Sequence, residues 1–208
     1  MSTGDDYNRG LGELLLDGLR EAILYVKGNR EVITKSIPTV KPIDTTRKYR
    51  QCLIDTRHFE GLRLSVYTDS KGIPTIGYGH NLTTGNSLLH CSRLGLNHQA
   101  LVDGTASITK DQAEALFQLD MAVAHSDAVS LVPDLDSMPF IIQEVMNDLS
   151  FNIGKTRLSK FHRTLAALEK RDYTGFRDGL EDSKWDEDVG NRAIAIINAL
   201  NNNLNLSE

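Results

Sequence analysis

The chain has 208 residues, 25% of them charged and 40% hydrophobic, and a formal net charge of −5, enough for one domain of ordinary size with a sizeable core. No apolar run reaches the roughly 20 residues that span a bilayer, and two cysteines do not make a disulfide framework. Residues 1–50 carry nine basic against seven acidic side chains and residues 51–208 carry 14 against 21; an acidic main domain argues against non-specific binding of nucleic acid.

In chain order, the start MSTGDDYNRG is acidic and polar, unlike the basic opening of a secretory signal. Synthesis in a cytosol is expected, with any export by another route. Residues 8–27 predict an amphipathic helix, because Leu11, Leu15, Leu19, Ala22, Ile23 and Val26 recur at helical spacing before Gly28. VITKSIPTVKPIDTTRK has two prolines and no helical period and is predicted to be an extended linker. A boundary near residues 45–50 separates a docking segment, 1–49, from a main domain, 50–208. From Arg50 a short helix is predicted to run to Glu60, where Gly61 stops it. Residues 62–68 and 73–78 are strand-like and joined by DSKG, with Asp first and Gly fourth as a type I turn requires. SLLHCSRLGLNHQAL suits one connecting helix. TKDQAEALFQLDMAVAHSDA predicts a strong helix opened by a capping box, Thr109 with Gln112. DSMPFIIQEVMNDLSFNIG predicts another, with Pro139 in its first turn and Gly154 at its end. LSKFHRTLAALEKRD, YTGFRDGLED and GNRAIAIINALNNNL complete a helix-rich remainder. The class is α+β: a small β-bearing lobe and a larger helical lobe, with a cleft expected between them.

Glu60 falls in the last turn of its helix, where the negative end of the macrodipole favours the protonated carboxyl, the form a general acid needs. A solvated surface glutamate is the commoner occupant of such a place. Asp69 opens a turn and suits it for local hydrogen bonding alone. Thr75, Gly77 and Gly79 are predicted on one strand face and Ile76 and Tyr78 on the other. A face cleared by glycines suggests either a close approach to the backbone or a bulge. Together these residues offer two carboxylates and a hydroxyl beside an open groove, the ingredients of glycoside hydrolysis. Ala113, Leu116, Phe117, Asp120 and Ala124 form one helical stripe, so Asp120 is predicted to point inward and need a partner. His80 is the candidate, in a structural pair that ties the lobes together.

EGLRLSVYTDSKGIPTIGYGHNLT closely resembles the active-site signature of phage T4-type lysozymes, glycoside hydrolase family 24. ITKDQAEALFQLD is similar to the helix entering that family's C-terminal lobe, LSFNIG to its cleft-lining segment and SKWDEDVGNRA to its Trp and Asn-Arg motif. The resemblance covers about residues 50–208 and implies a two-lobed fold connected by a long helix. It implies that Glu60 is the general acid and that Asp69 and Thr75 position the attacking water. Asn81, Phe151, Asn152, Gly154 and Thr164 match substrate-binding positions, Asn81 and Asn152 with changed residue types. His80 and Asp120 match an interlobe ion pair, and Arg192 matches an arginine beside the acid. That arginine opposes the dipole, since a neighbouring cation favours the carboxylate. The implied reaction is cleavage of the β-1,4 bond between N-acetylmuramic acid and N-acetylglucosamine by inversion, for which the carboxyls stand about 6.5–9.5 Å apart. No cofactor is implied.

A metal site finds no support in ligand spacing: H-E-x-x-H is absent, and His90-Cys91 lacks partners in the sequence. A lytic transglycosylase needs the acid but no water nucleophile, and the presence of Asp69 and Thr75 favours hydrolysis. A virion protein with a dormant lysozyme domain is a third reading. The expected partners are peptidoglycan and virion or tail proteins docking on residues 1–49; no nucleic acid and no stable membrane insertion are expected. The N-terminal helix mixes Asp17, Glu21 and Arg20 on its polar face, a poor match to anionic lipid. Docking on a partner and packing on the chain's own surface remain equal alternatives. Bacterial walls are anionic, so an acidic domain gains nothing from diffusive attraction. That favours delivery on a phage tail, with a soluble endolysin in the host cytoplasm as the alternative; either acts in the host periplasm and wall.

Overall fold

The computed structural model describes residues 56–183, 185 and 189–206. The predicted N-terminal helix, the linker, the domain boundary, the start of the helix from Arg50, and Cys52 lie outside them. Helix α1 (Thr56–Glu60) leads into an antiparallel sheet of β1 (Arg63–Thr68), β2 (Pro74–Gly77) and β3 (His80–Asn81), in that spatial order. The predicted turn forms: the Gly72 amide donates to the Asp69 carbonyl at 3.0 Å. Tyr67 pairs with Thr75 and Thr68 with Pro74, but Arg63 pairs with Gly77, so β1 bulges between Arg63 and Tyr67. The freed segment turns to the chain entering the long helix. Leu64 accepts from the Ile108 amide at 2.9 Å, and Ser65 bridges to Ser107.

Two expectations change here. The strand predicted to Tyr78 ends at Gly77, whose φ of 68° is not extended, and Gly79 at 81° continues the turn. The alternation of Thr75, Gly77 and Gly79 on one face therefore stops at Gly77. The single connecting helix is two, α2 (Gly85–Arg93) and α3 (His98–Val102), broken where Gly95 takes a φ of 66° and where the Asn97 side chain caps α3 through the Ala100 amide.

Helix α4 (Lys110–Leu131) follows, about 33 Å long at 1.5 Å per residue, and its predicted capping box is complete on both sides. After a 3-10 turn at Leu135–Ser137 come α5 (Phe140–Ile153), α6 (Lys155–Leu158), α7 (His162–Glu169), α8 (Tyr173–Glu181) and α9 (Asn191–Leu204). Ile141 to Ser150 are all buried, as befits a helix at the centre of a core rather than on its surface. The larger core gathers Ile142, Met146, Leu149, Leu168, Phe176, Trp185 and Leu200 around α5. A smaller one packs Ile76, Leu82, Cys91, Leu101 and Ile108 under the sheet. Helix α4 belongs to both, with Ala113 and Leu116 in the smaller core and Ala128 in the larger. The fold is thus α+β, with the long helix joining two lobes.

Candidate active site

Glu60 ends α1 where three parts of the chain meet. Its Oε1 accepts from Nη1 of Arg192 at 2.8 Å, from the start of α9. Its Oε2 lies over the bare Cα of Gly79: a Cβ there would sit 2.9 Å from it. Of the two readings that the glycines allow, a close approach or a bulge, Gly79 fits the first: the carboxylate itself approaches it. The Arg192 guanidinium also stacks on Phe59, 5.2 Å from the ring centroid.

Behind Arg192 stands Asp148 on α5, 1% exposed. Its Oδ2 accepts from Nε of Arg192 at 2.9 Å and its Oδ1 from Nη2 at 2.8 Å. The Thr56 hydroxyl donates to Oδ1 at 2.6 Å. Burial works against the charge on Arg192, but the bonds and charges of Asp148 and Glu60 outweigh it and raise its pKa above the ordinary value. Nothing in the sequence marks Asp148, because a helix buried on all sides has no polar stripe against which an inward carboxylate stands out.

On the sheet, Tyr67, Thr75 and Asn81 are cross-strand partners in one row, and directly opposed residues share a face. Asp69 Oδ1 accepts from the Lys71 and Ile73 amides, both at 2.8 Å, which fixes the carboxylate at the mouth of the turn. Thr75 is buried and its hydroxyl donates to the Ile73 carbonyl at 3.0 Å. Tyr67, which sequence reasoning passed over, stands in the same row: burial and then the charge of Glu60 raise its pKa, with Arg63 opposing and Asp69 adding. Asn81 Oδ1 is taken by the Thr83 amide and hydroxyl at 2.8 and 2.7 Å.

In the helical lobe, Phe151 meets Phe117 edge-on at 5.5 Å, and Phe117 meets Tyr78 at 5.7 Å. An aromatic chain thus runs from α5 across α4 to the hairpin. Asn152 accepts from the Trp185 indole at 3.2 Å, and Gly154 ends α5 with a φ of 74°. Thr164 stands apart. It is 3% exposed and packs on α8, where a Cβ on Gly179 would come within 2.6 Å of its hydroxyl. Its surroundings are those of a helix–helix contact.

His80 donates through Nδ1 to Asp120 at 2.7 Å, and its Nε2 pairs with the Ser87 hydroxyl at 2.9 Å. The predicted pair therefore forms and joins β3 to α4. His90, which the sequence leaves without partners, lies with Nδ1 3.2 Å from the other Asp120 oxygen. Their ligand-type atoms lie within 4.8 Å of one another, a grouping of two imidazoles on one carboxylate that spacing along the chain does not reveal. Burial opposes the Asp120 charge, but the hydrogen bond from His80 and the nearness of the His90 imidazole outweigh it and hold the carboxyl below its ordinary 3.8.

A two-lobed α+β domain with a carboxylate at the lobe junction and a carboxylate–hydroxyl hairpin beside it defines a lysozyme-like glycosidase fold. A family model described as Phage lysozyme matches residues 57–201. The chain belongs to the phage lysozyme family and is of the glycoside hydrolase class. It is 29% identical over 151 residues to a pre-baseplate central spike protein, Gp5, of Enterobacteria phage T4, an alignment that takes in 67% of this chain and 26% of that protein. It is 24% identical over 153 residues to a probable T4-type lysozyme 1 of Dictyostelium discoideum, covering 69% of this chain and 89% of the other. To a peptidoglycan hydrolase, gp36, of Pseudomonas phage phiKMV it is 27% identical, over 67% of this chain and 14% of that one. The chain thus spans about a quarter of the spike protein's length and nearly all of the Dictyostelium lysozyme's.

Proposed function

We propose that the protein is a muramidase that cleaves the β-1,4 bond between N-acetylmuramic acid and N-acetylglucosamine in peptidoglycan, with inversion. The observation that carries this is the placement of Glu60, one oxygen held by Arg192 and the other against Gly79, with Asp69 and Thr75 on the neighbouring hairpin. Glu60 protonates the glycosidic oxygen through Oε2. Asp69, anchored by Oδ1, keeps Oδ2 for a water, and the Thr75 hydroxyl, whose proton goes to Ile73, accepts a hydrogen bond from the same water. That water attacks the anomeric carbon from the face opposite the leaving group, and Asp69 takes its proton. Phe151, Asn152 and Gly154 line the sugar path from the helical lobe.

The test is muropeptide release from purified peptidoglycan by the protein and its Glu60→Gln variant, with products read by mass spectrometry and NMR. Reducing muramic acid ends, released first as the α-anomer and about 100-fold or more slower in the variant, are expected. Anhydro-muramic ends would mean a transglycosylase instead.

The role in infection rests on a separate observation. Likeness to a phage protein named a central spike, together with the acidic main domain, supports a lysozyme carried on the virion tail and delivered to the wall by tethering through residues 1–49. Coverage of 89% of a probable T4-type lysozyme supports the endolysin alternative. Mass spectrometry of purified particles separates them: the protein is expected in the particle, and its confinement to lysate would make it an endolysin.

A further inference from the structure

An arginine 2.8 Å from a carboxylate favours the anion, the wrong form for a group that must give a proton away. The same cluster contains a counterweight. Arg192 offers its paired donors, Nε and Nη2, to Asp148 and only Nη1 to Glu60, and the paired fork is the stronger hydrogen-bonding mode. Asp148 has a third donor in Thr56 and is shielded at 1% exposure, whereas the Glu60 side chain is 22% exposed. One cation therefore stands between two carboxylates, and the better-bonded of the two is not the proposed acid.

We propose that Asp148 is a positioning residue of the active site, which occupies most of the Arg192 guanidinium and so leaves Glu60 the member of the triad that takes up and releases a proton. This rests on the reading of Glu60 as the general acid. Asp148 acts in two ways, and both have the same sign. It fixes the guanidinium so that one nitrogen reaches Glu60, and its negative charge offsets the positive charge that Glu60 meets there. Among the described residues, the other groups near Glu60 include Tyr67 on β1, which feels its charge together with those of Arg63 and Asp69, and the Gly79 backbone. Asp148 makes its hydrogen bonds to Thr56 and Arg192 and to none of these groups.

The experiment compares wild type with Asp148→Asn, and Glu60→Gln serves as the control for the underlying reading. In the asparagine variant kcat is expected to fall about tenfold with KM within about twofold, and the alkaline limb of the pH–rate profile to move down by about one pH unit. A carboxyl-carbon NMR titration of Glu60 reads the same balance without turnover, and its midpoint is expected at lower pH in Asp148→Asn. An unmoved limb with a lowered melting temperature would reduce Asp148 to a structural residue and overturn the proposal, as would an unchanged or higher NMR midpoint. Full activity in Glu60→Gln would overturn the reading of Glu60 as acid, while the titration would still decide whether Asp148 controls its proton. Asp148→Ser, smaller and open to water, is the substitute should the asparagine variant not fold.

Discussion

Gly79 and Glu60 claim the same space. A side chain at 79 would meet Glu60 Oε2 at 2.9 Å, on a backbone whose φ of 81° already disfavours one. Gly79→Ala is therefore expected to cost about 1–3 kcal/mol in stability and to displace Glu60, lowering turnover as well. Gly72 makes a matched control, with a φ of 80° and nothing within 4 Å of a built Cβ; alanine there should cost stability alone. Urea unfolding and muropeptide release on both variants check the pair, and normal turnover in Gly79→Ala would show that Glu60 has room to spare. At this scale the sequence was legible where chemistry left a local mark. Glu60, Asp69, Thr75, Gly77 and Gly79 stand within 20 residues of one another, and clustered glycines beside a hydroxyl are a readable signal, although the alternating strand face they suggested stops at Gly77. Tyr67 was not, since a tyrosine in a strand is ordinary. Asp148 was not, since its meaning comes from Arg192, 44 residues away, and from a helix with no exposed side.

Between elements, the most telling contact is the one that β3 and α2 make with α4 through Asp120. Its folded carboxyl titrates below 3.8 because of His80 and His90. The stability it contributes is therefore fully present above about pH 3.8 and is lost as pH falls through the depressed folded value. Asp120→Asn is expected to cost roughly 2–3 kcal/mol near neutrality, somewhat less than the 3–5 kcal/mol for breaking a fully buried pair. The difference from wild type should shrink as the medium is acidified below pH 4. Thermal unfolding across pH checks this, and a difference constant with pH would mean that packing rather than charge holds the contact. The stripe on α4 made Asp120 and His80 readable as a pair, and the capping box placed the helix start. The third strand was not readable, because two residues are too few to show a period of two. The break between α2 and α3 was carried by Gly95 and Asn97, turn residues that an apolar run on either side outvoted.

For the whole molecule, the division into a β-bearing lobe and a helical lobe followed from where the apolar period switches from two to 3.6. The sharing of α4 between two cores did not, because a 22-residue helix reads the same whether it serves one core or two. That sharing poses a question of cooperativity, and Cys91 supplies a clock with which to answer it. Cys91 is a free thiol, 0% exposed, within the smaller core. Burial, with Asp120 adding and a hydrogen bond from Ser87 opposing, raises its pKa and keeps it unreactive while the lobe is closed. In a Cys52→Ser background, its rate of capture by a thiol reagent measures how often the small lobe opens. Asp120→Asn should speed the clock. Leu149→Ala, a cavity in the other core worth about 2–5 kcal/mol, should leave it nearly unchanged if the lobes open independently. Equal acceleration by both would mean that α4 transmits every loss of stability from one end of the enzyme to the other.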